Sequence, residues 1–258
     1  MAERAESRFS PVRAAGHTAI FLFLTLLTQI GGLAWLLALL FKRRVISFCV
    51  IYVVLTLGAV WIAPLFGRVA ISCLQDGPLR VQSGLYCALN RTYVTPEMAD
   101  VLKRLAEEME RRHPGTQTLL LDANFPFIDG FPLLPHLSHK DGKKADIAFY
   151  YSDETGYAPG ATRSPIGYFA FEEGPTQCPD VWPTLRWDFA WLQPMWRSYA
   201  LDEPRLRSVM RVLTGDDRIG KVFLEPHLVA RLGFGHKAIR FQGCRAARHD
   251  DHVHFQLK

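Results

Sequence analysis

Charge is missing from two long stretches of this chain, Thr18 to Phe41 and Val45 to Phe66. That absence excludes an ordinary water-facing surface there, because about 20 consecutive apolar residues are what a helix needs to cross a bilayer's hydrocarbon core. Residues 18–66 therefore read as a two-helix transmembrane hairpin turned at Lys42-Arg43-Arg44, with Pro64 near the end of the second run, where a helix break costs least. A pair of buried core helices, or a cleaved signal for the first run, are the alternatives; the lengths of the runs argue against both.

Other absences narrow the class. None of the five cysteines forms a Cys-x-x-Cys pair, which removes a structural zinc knuckle. There is no His-x-x-x-His, the helical metallopeptidase signature. Internal repeats and low-complexity tracts are absent. No basic patch is interleaved with aromatics, so nucleic acid is not an expected partner. The net charge of +5, from 30 Lys plus Arg against 25 Asp plus Glu, is mild and suits an anionic lipid surface or wall polymer. Regular βαβ alternation is also lacking. Mixed helices and strands instead predict an α+β fold, with a central, mainly antiparallel sheet and flanking helices behind the hairpin.

What is present divides into an N-terminal tail (1–17), the hairpin (18–66), a connector (67–94) and a folded domain (95–258). A helix is expected from Pro96, with Thr95 as cap, Glu97 in the first turn, and Met98, Val101, Leu102, Leu105 and Met109 at helical spacing. Strands are expected at 118–122, 146–151, 167–171, 222–224 and 251–257, and helices at 204–213 and from Glu225-Pro226. Trp187 and Trp191, four residues apart, read as one face of a helix packed on the sheet. Cys73 and Cys87 frame a short loop and make a plausible disulfide; four ordinary thiols at 73, 87, 178 and 244 are nearly as compatible with the count. Orientation stays open. The Lys42-Arg43-Arg44 turn argues for a cytoplasmic turn and an exported domain, whereas Arg4, Arg8 and Arg13 argue the reverse. Exported cysteines tip the balance toward a domain outside the cytoplasm.

Five of the nine histidines sit in two short stretches, His136-Leu137-Ser138-His139 and His249-Asp250-Asp251-His252-Val253-His254. Side chains alternate along a strand, so His252 and His254 share a face and Val253 points the other way. A catalytic zinc needs three N, O or S ligands and one open position, which His139, Asp146 and His254 can supply. Gly142 lets the chain turn between the first two. Either Asp250 or a backbone carbonyl would orient a ligand histidine.

Ser138-His139-x-x-Gly142-x-x-x-Asp146 with a distant His252-x-His254 resembles the zinc metallopeptidases named after lysostaphin, D-Ala-D-Ala peptidases and sonic hedgehog. The flanking histidines look most like those of the penicillin-insensitive murein endopeptidases. The resemblance spans roughly residues 95–258. It implies Zn2+ on His139, Asp146 and His254, a catalytic His252, and His136, His249 and Asp251 lining the site, with Asp251 as second choice for handling protons. The implied activity is a D,D-endopeptidase hydrolysing peptide cross-links or stem peptides of peptidoglycan, which places the domain in the periplasm on a bacterial inner membrane; the membrane anchor, with the bilayer engaged through residues 18–66, is read from the uncharged runs and not from the resemblance. The same site acting on another peptide or amide, or a non-hydrolytic zinc or wall-peptide binding module, are the alternatives.

Overall fold

The protein is described here from a computed structural model, covering residues 11–179, 184, 186 and 189–258. Trp182 and Trp187 lie outside the described residues.

The first apolar run is not one helix. α1 (Pro11–Thr28) ends at Gln29, whose φ of 67° is a left-handed conformation, and a short α2 (Gly31–Ala38) then folds back. The glycines make this reversal possible. A Cβ on Gly32 would sit 1.9 Å from Thr25 Oγ1 and 2.8 Å from the Phe21 carbonyl, so only glycine lets α2 lie this close to α1. Trp35 on α2 reaches His17 (ring centroids 5.8 Å apart) and Phe48 (5.9 Å). α3 (Arg44–Ile62, continued by a 3-10 turn Ala63–Phe66) then starts beside His17 and runs in the same direction as α1. At 18 and 23 residues, α1 and the Arg44–Phe66 helix are the two candidate membrane spans, about 27 and 34 Å long; α2, at 8 residues, is only about 12 Å. The arrangement thus differs from a simple hairpin. The start of α1 and the Lys42-Arg43-Arg44 segment meet at one end of the bundle, and the folded domain contacts the other.

Beyond the helices come β1 (Val69–Ala70), β2 (Leu79–Val81), α4 (Gly84–Ala88), β3 (Tyr93–Val94), α5 (Pro96–Arg112), β4 (Thr118–Leu120), β5 (Lys144–Ala148), β6 (Tyr151–Asp153), β7 (Gly156–Tyr157), β8 (Ala200–Leu201), α6 (Glu203–Thr214), β9 (Ile219–Phe223), α7 (Pro226–Leu232), β10 (Ile239–Arg240) and β11 (His252–Leu257). The fold is α+β, with seven α-helices among the described residues. The main sheet has the order β10-β9-β11-β5-β4-β2. It is mixed rather than mainly antiparallel. The four central strands are antiparallel, but β10 runs parallel to β9 and β2 parallel to β4. The reason is that a helix sits in each edge connection, α7 in one and α5 in the other, and a helical crossover returns the chain in the same direction.

α5 begins as the capping residues dictate, with Thr95 Oγ1 accepting from the Met98 N–H at 3.3 Å. Its apolar stripe (Met98, Val101, Leu102, Leu105, Met109) and that of α6 (Leu206, Val209, Met210, Leu213) cover one sheet face, against Ala145, Ile147, Val222, Val253 and Phe255. Alternation along β5 and β11 then sends Asp146, His252 and His254 to the opposite face. Three expected elements differ. The strand at 146–151 divides into β5 and β6. Residues 167–171 form no strand, because Phe169 takes a φ of 64°. Ala190–Met195 is a 3-10 turn on which Trp191 is exposed rather than packed on the sheet.

Two disulfides, Cys73–Cys87 and Cys178–Cys244, tie the domain's loops; Cys49 on α3 is free.

Candidate metal centre

Register builds the site. β11 pairs with β5 so that His254 lies directly across from Asp146, and His252 across from Ala148. Cross-strand partners on one face are close enough to touch, and His254 Nδ1 lies 2.7 Å from Asp146 Oδ1. His139 arrives from the loop 121–143, turned at Gly142. That glycine has a φ of 69°, and a Cβ there would lie 2.5 Å from Arg68 Nε. His139 Nε2 is 3.2 Å from Asp146 Oδ1 and 3.1 Å from His254 Nδ1. All three side chains are buried.

These separations fit a cation. A tetrahedral centre with bonds of about 2.0–2.1 Å spaces its donors about 3.3 Å apart, and the three residues form one group able to hold a metal ion. The neighbours prepare the donors. His139 Nδ1 donates to the Ala123 carbonyl at 2.8 Å, which leaves Nε2 to face the centre. A backbone carbonyl therefore orients this ligand. Asp250 instead pairs with Arg248. Tyr168 donates its hydroxyl to Asp146 Oδ2 at 2.7 Å, which steers Oδ1 toward the histidines.

Electrostatics agree with this. Burial pushes the Asp146 carboxyl up, but His139, His252 and His254 outweigh it and hold the group well below the usual range. Burial drives His254 down to about 4, so its ring is neutral near pH 7. Burial also pushes His139 down, yet the Asp146 charge raises it overall.

His252 stands beside this group, its Nε2 3.7 Å from Asp146 Oδ2 and its Nδ1 2.5 Å from Asp251 Oδ1. Burial depresses it, but Asp146 and Asp251 raise it to about 9. Asp251 is itself fixed by the Phe169 N–H at 2.6 Å. It therefore positions His252 rather than facing the ligands. His249 packs 5.0 Å from His252, ring to ring, and is held well below its ordinary value by burial and then by His252 and His254. His136 lies 4.6 Å from the Tyr168 ring. The cleft over these groups, about 150 Å³, is lined by His136, His139, Asp146, His249, Asp251, His252 and His254, with Leu137, Tyr168, Phe169 and Phe171 among its apolar walls.

Three contributors carry no signal in the motif spacing. Tyr168 is one. The others are Asp122 and Arg91, a fully buried pair in which Arg91 Nε and Nη2 grip Asp122 at 2.5 and 2.7 Å while His136 Nδ1 binds Asp122 Oδ2 at 2.7 Å. A lone carboxylate ending the apolar run Leu119-Leu120-Leu121-Asp122 is the one hint the sequence offers. Among known proteins, no family model matches this chain and no curated protein matches it.

Proposed function

We propose that this protein is a membrane-anchored, zinc-dependent peptidase that hydrolyses cross-links or stem peptides of peptidoglycan, with its site on the periplasmic side of a bacterial inner membrane. One observation carries the reading: His139, Asp146 and His254 converge in a cleft with a fourth, carboxylate-bound histidine beside them. The ligand set has the nitrogen and oxygen donors and the cleft-facing position expected of a hydrolytic zinc site. Zinc held there would supply Lewis acidity and would lower the pKa of a bound water to about 7.

The chain's own residues supply the rest. Asp251 orients the His252 ring through Nδ1 and leaves Nε2 facing the cleft; raised to about 9, the ring carries a proton near pH 7 that it would donate to the developing oxyanion or to the leaving amine. Tyr168 and Ala123 hold the ligands in orientation, and the apolar walls limit water around the reacting carbonyl. The resemblance to the murein endopeptidases at Ser138, His139, Gly142, Asp146, His252 and His254 supports the substrate class.

Two features favour the periplasmic side. Disulfides persist in oxidising compartments, and the domain carries two. Arg13 and Lys42-Arg43-Arg44 lie at the bundle end away from the domain, as the positive-inside rule requires of the cytoplasmic end.

The test is digestion of cross-linked muropeptides by the full chain in nanodiscs, with mass detection of products and metal analysis. About one zinc per chain and new peptide termini, both lost on chelation, are expected. Intact muropeptides with stoichiometric zinc would refute the substrate, and a metal-free protein would refute the site. A reporter fused after Lys258 that is active only in the cytoplasm would refute the location.

A further inference from the structure

The site has no tether. Only Gly67 and Arg68 separate the end of the membrane helix from β1, and both are held: their N–H groups donate to the Pro64 and Ala63 carbonyls at 3.1 and 3.0 Å. The Arg68 side chain is buried, pairs with Asp129 and packs on Gly142. The domain is seated directly on the helices. Ala59 and Ala63 pack on Tyr93, Phe66 meets Phe127 edge-on at 5.1 Å, and Gln29 Oε1 accepts the Phe127 N–H at 2.9 Å.

Phe127 opens the loop that delivers His136 and His139. That loop exposes Ile128 (55%), Leu134 (50%) and Leu137 (46%), and Pro135 and Leu137 line the mouth of the cleft. Through the Phe127 ring on Phe66 this loop adjoins the helix end on which Trp61 and Leu65 are also exposed (84% each). Exposed apolar surface of this extent next to spanning helices fits the bilayer interface.

We infer that residues 128–137 lie in the membrane interface, that the cleft opens at the bilayer surface, and that the peptide it takes is carried there on a lipid anchor. Reach supports the substrate half. A domain the size of residues 67–258 has a radius of gyration of about 16 Å, so a rigidly seated site works within about 40 Å of the lipid. A lipid-carried peptide is delivered at that height and at a high effective concentration. The substrate half rests on the peptidase reading; the placement half does not.

The experiment uses the full chain with Cys49→Ala in nanodiscs. Nitroxides are placed at Ile128→Cys and Leu134→Cys, with Thr155→Cys, exposed on the β6–β7 turn, as reference. Labels at 128 and 134 should collide preferentially with oxygen and be shielded from a water-soluble nickel chelate, unlike the label at 155. Equal accessibility at all three positions overturns the placement. In parallel, one stem peptide is offered on a lipid anchor in the same nanodisc and free in solution. The anchored form should be cut about tenfold or more faster, and Ile128→Ser with Leu134→Ser should reduce that advantage. Equal rates overturn the substrate half. If neither peptide is cut, the substrate half falls together with the peptidase reading, and the spin labels still decide the placement.

Discussion

Replacing Asp122 by Asn tests whether the wall behind the site is held by charge. Asp122 and Arg91 are 1% and 6% exposed, and the guanidinium grips both carboxylate oxygens. Arg91 also donates to the Leu134 carbonyl at 2.7 Å, so one cation ties Asp122, just past the end of β4, to the segment that carries the histidines. Asn keeps the shape but leaves a buried guanidinium without its counter-charge. Removing one partner of a buried pair costs about 3–5 kcal/mol, which for a domain of this size lowers Tm by about 6–20 °C.

The pH dependence follows from the same pair. Burial raises the Asp122 carboxyl, but Arg91 and then His136 hold it below its ordinary value. A carboxyl depressed in the folded state stabilises above the unfolded pKa of about 3.9, and that contribution is lost as pH falls through the folded value. The gap between wild type and variant should therefore be full at pH 7 and shrink in acid. Thermal unfolding followed by circular dichroism in detergent, at pH 7 and near pH 3, measures both. A shift under about 2 °C at pH 7, or a gap independent of pH, refutes the reasoning.

Tyr168→Phe removes the hydroxyl that steers Asp146 and should weaken zinc binding by about 10–100-fold, read by competition with a chromophoric chelator; unchanged affinity would show that the hydrogen bond does not tune the ligand. His252→Ala should leave about one zinc bound while reducing turnover by about 10²–10⁴-fold, measured by metal analysis alongside muropeptide digestion. Loss of the metal instead would make His252 a ligand and overturn its role as proton carrier. Cys178→Ser with Cys244→Ser opens a bridge of sequence separation 66 and should cost about 2–5 kcal/mol, seen as a lower denaturant midpoint; an unmoved midpoint would mean the loop is held by its other contacts.

Local pattern carried much of this protein. The uncharged runs mark the two helices long and apolar enough to cross a bilayer, because about 20 apolar residues are what such a crossing needs. The cap and stripe of α5 are local too, since Thr95, Pro96 and the i, i+3, i+4 apolar positions meet within one helix. So is the shared face of His252 and His254, which follows from the two-residue period of a strand. The tertiary structure decided what depends on neighbours remote in the chain. The β5–β11 register places Asp146 opposite His254, and a slip of one residue would have turned them to different faces. The reversal at Gln29 puts α3 parallel to α1, which hydropathy does not register because both sides of the break are equally apolar. Arg91, Asp122 and Tyr168 have no motif, and their roles arise only where three separate segments enclose charge away from water. Periodicity is a property of one segment; coordination geometry is a property of several, and only packing brings them together.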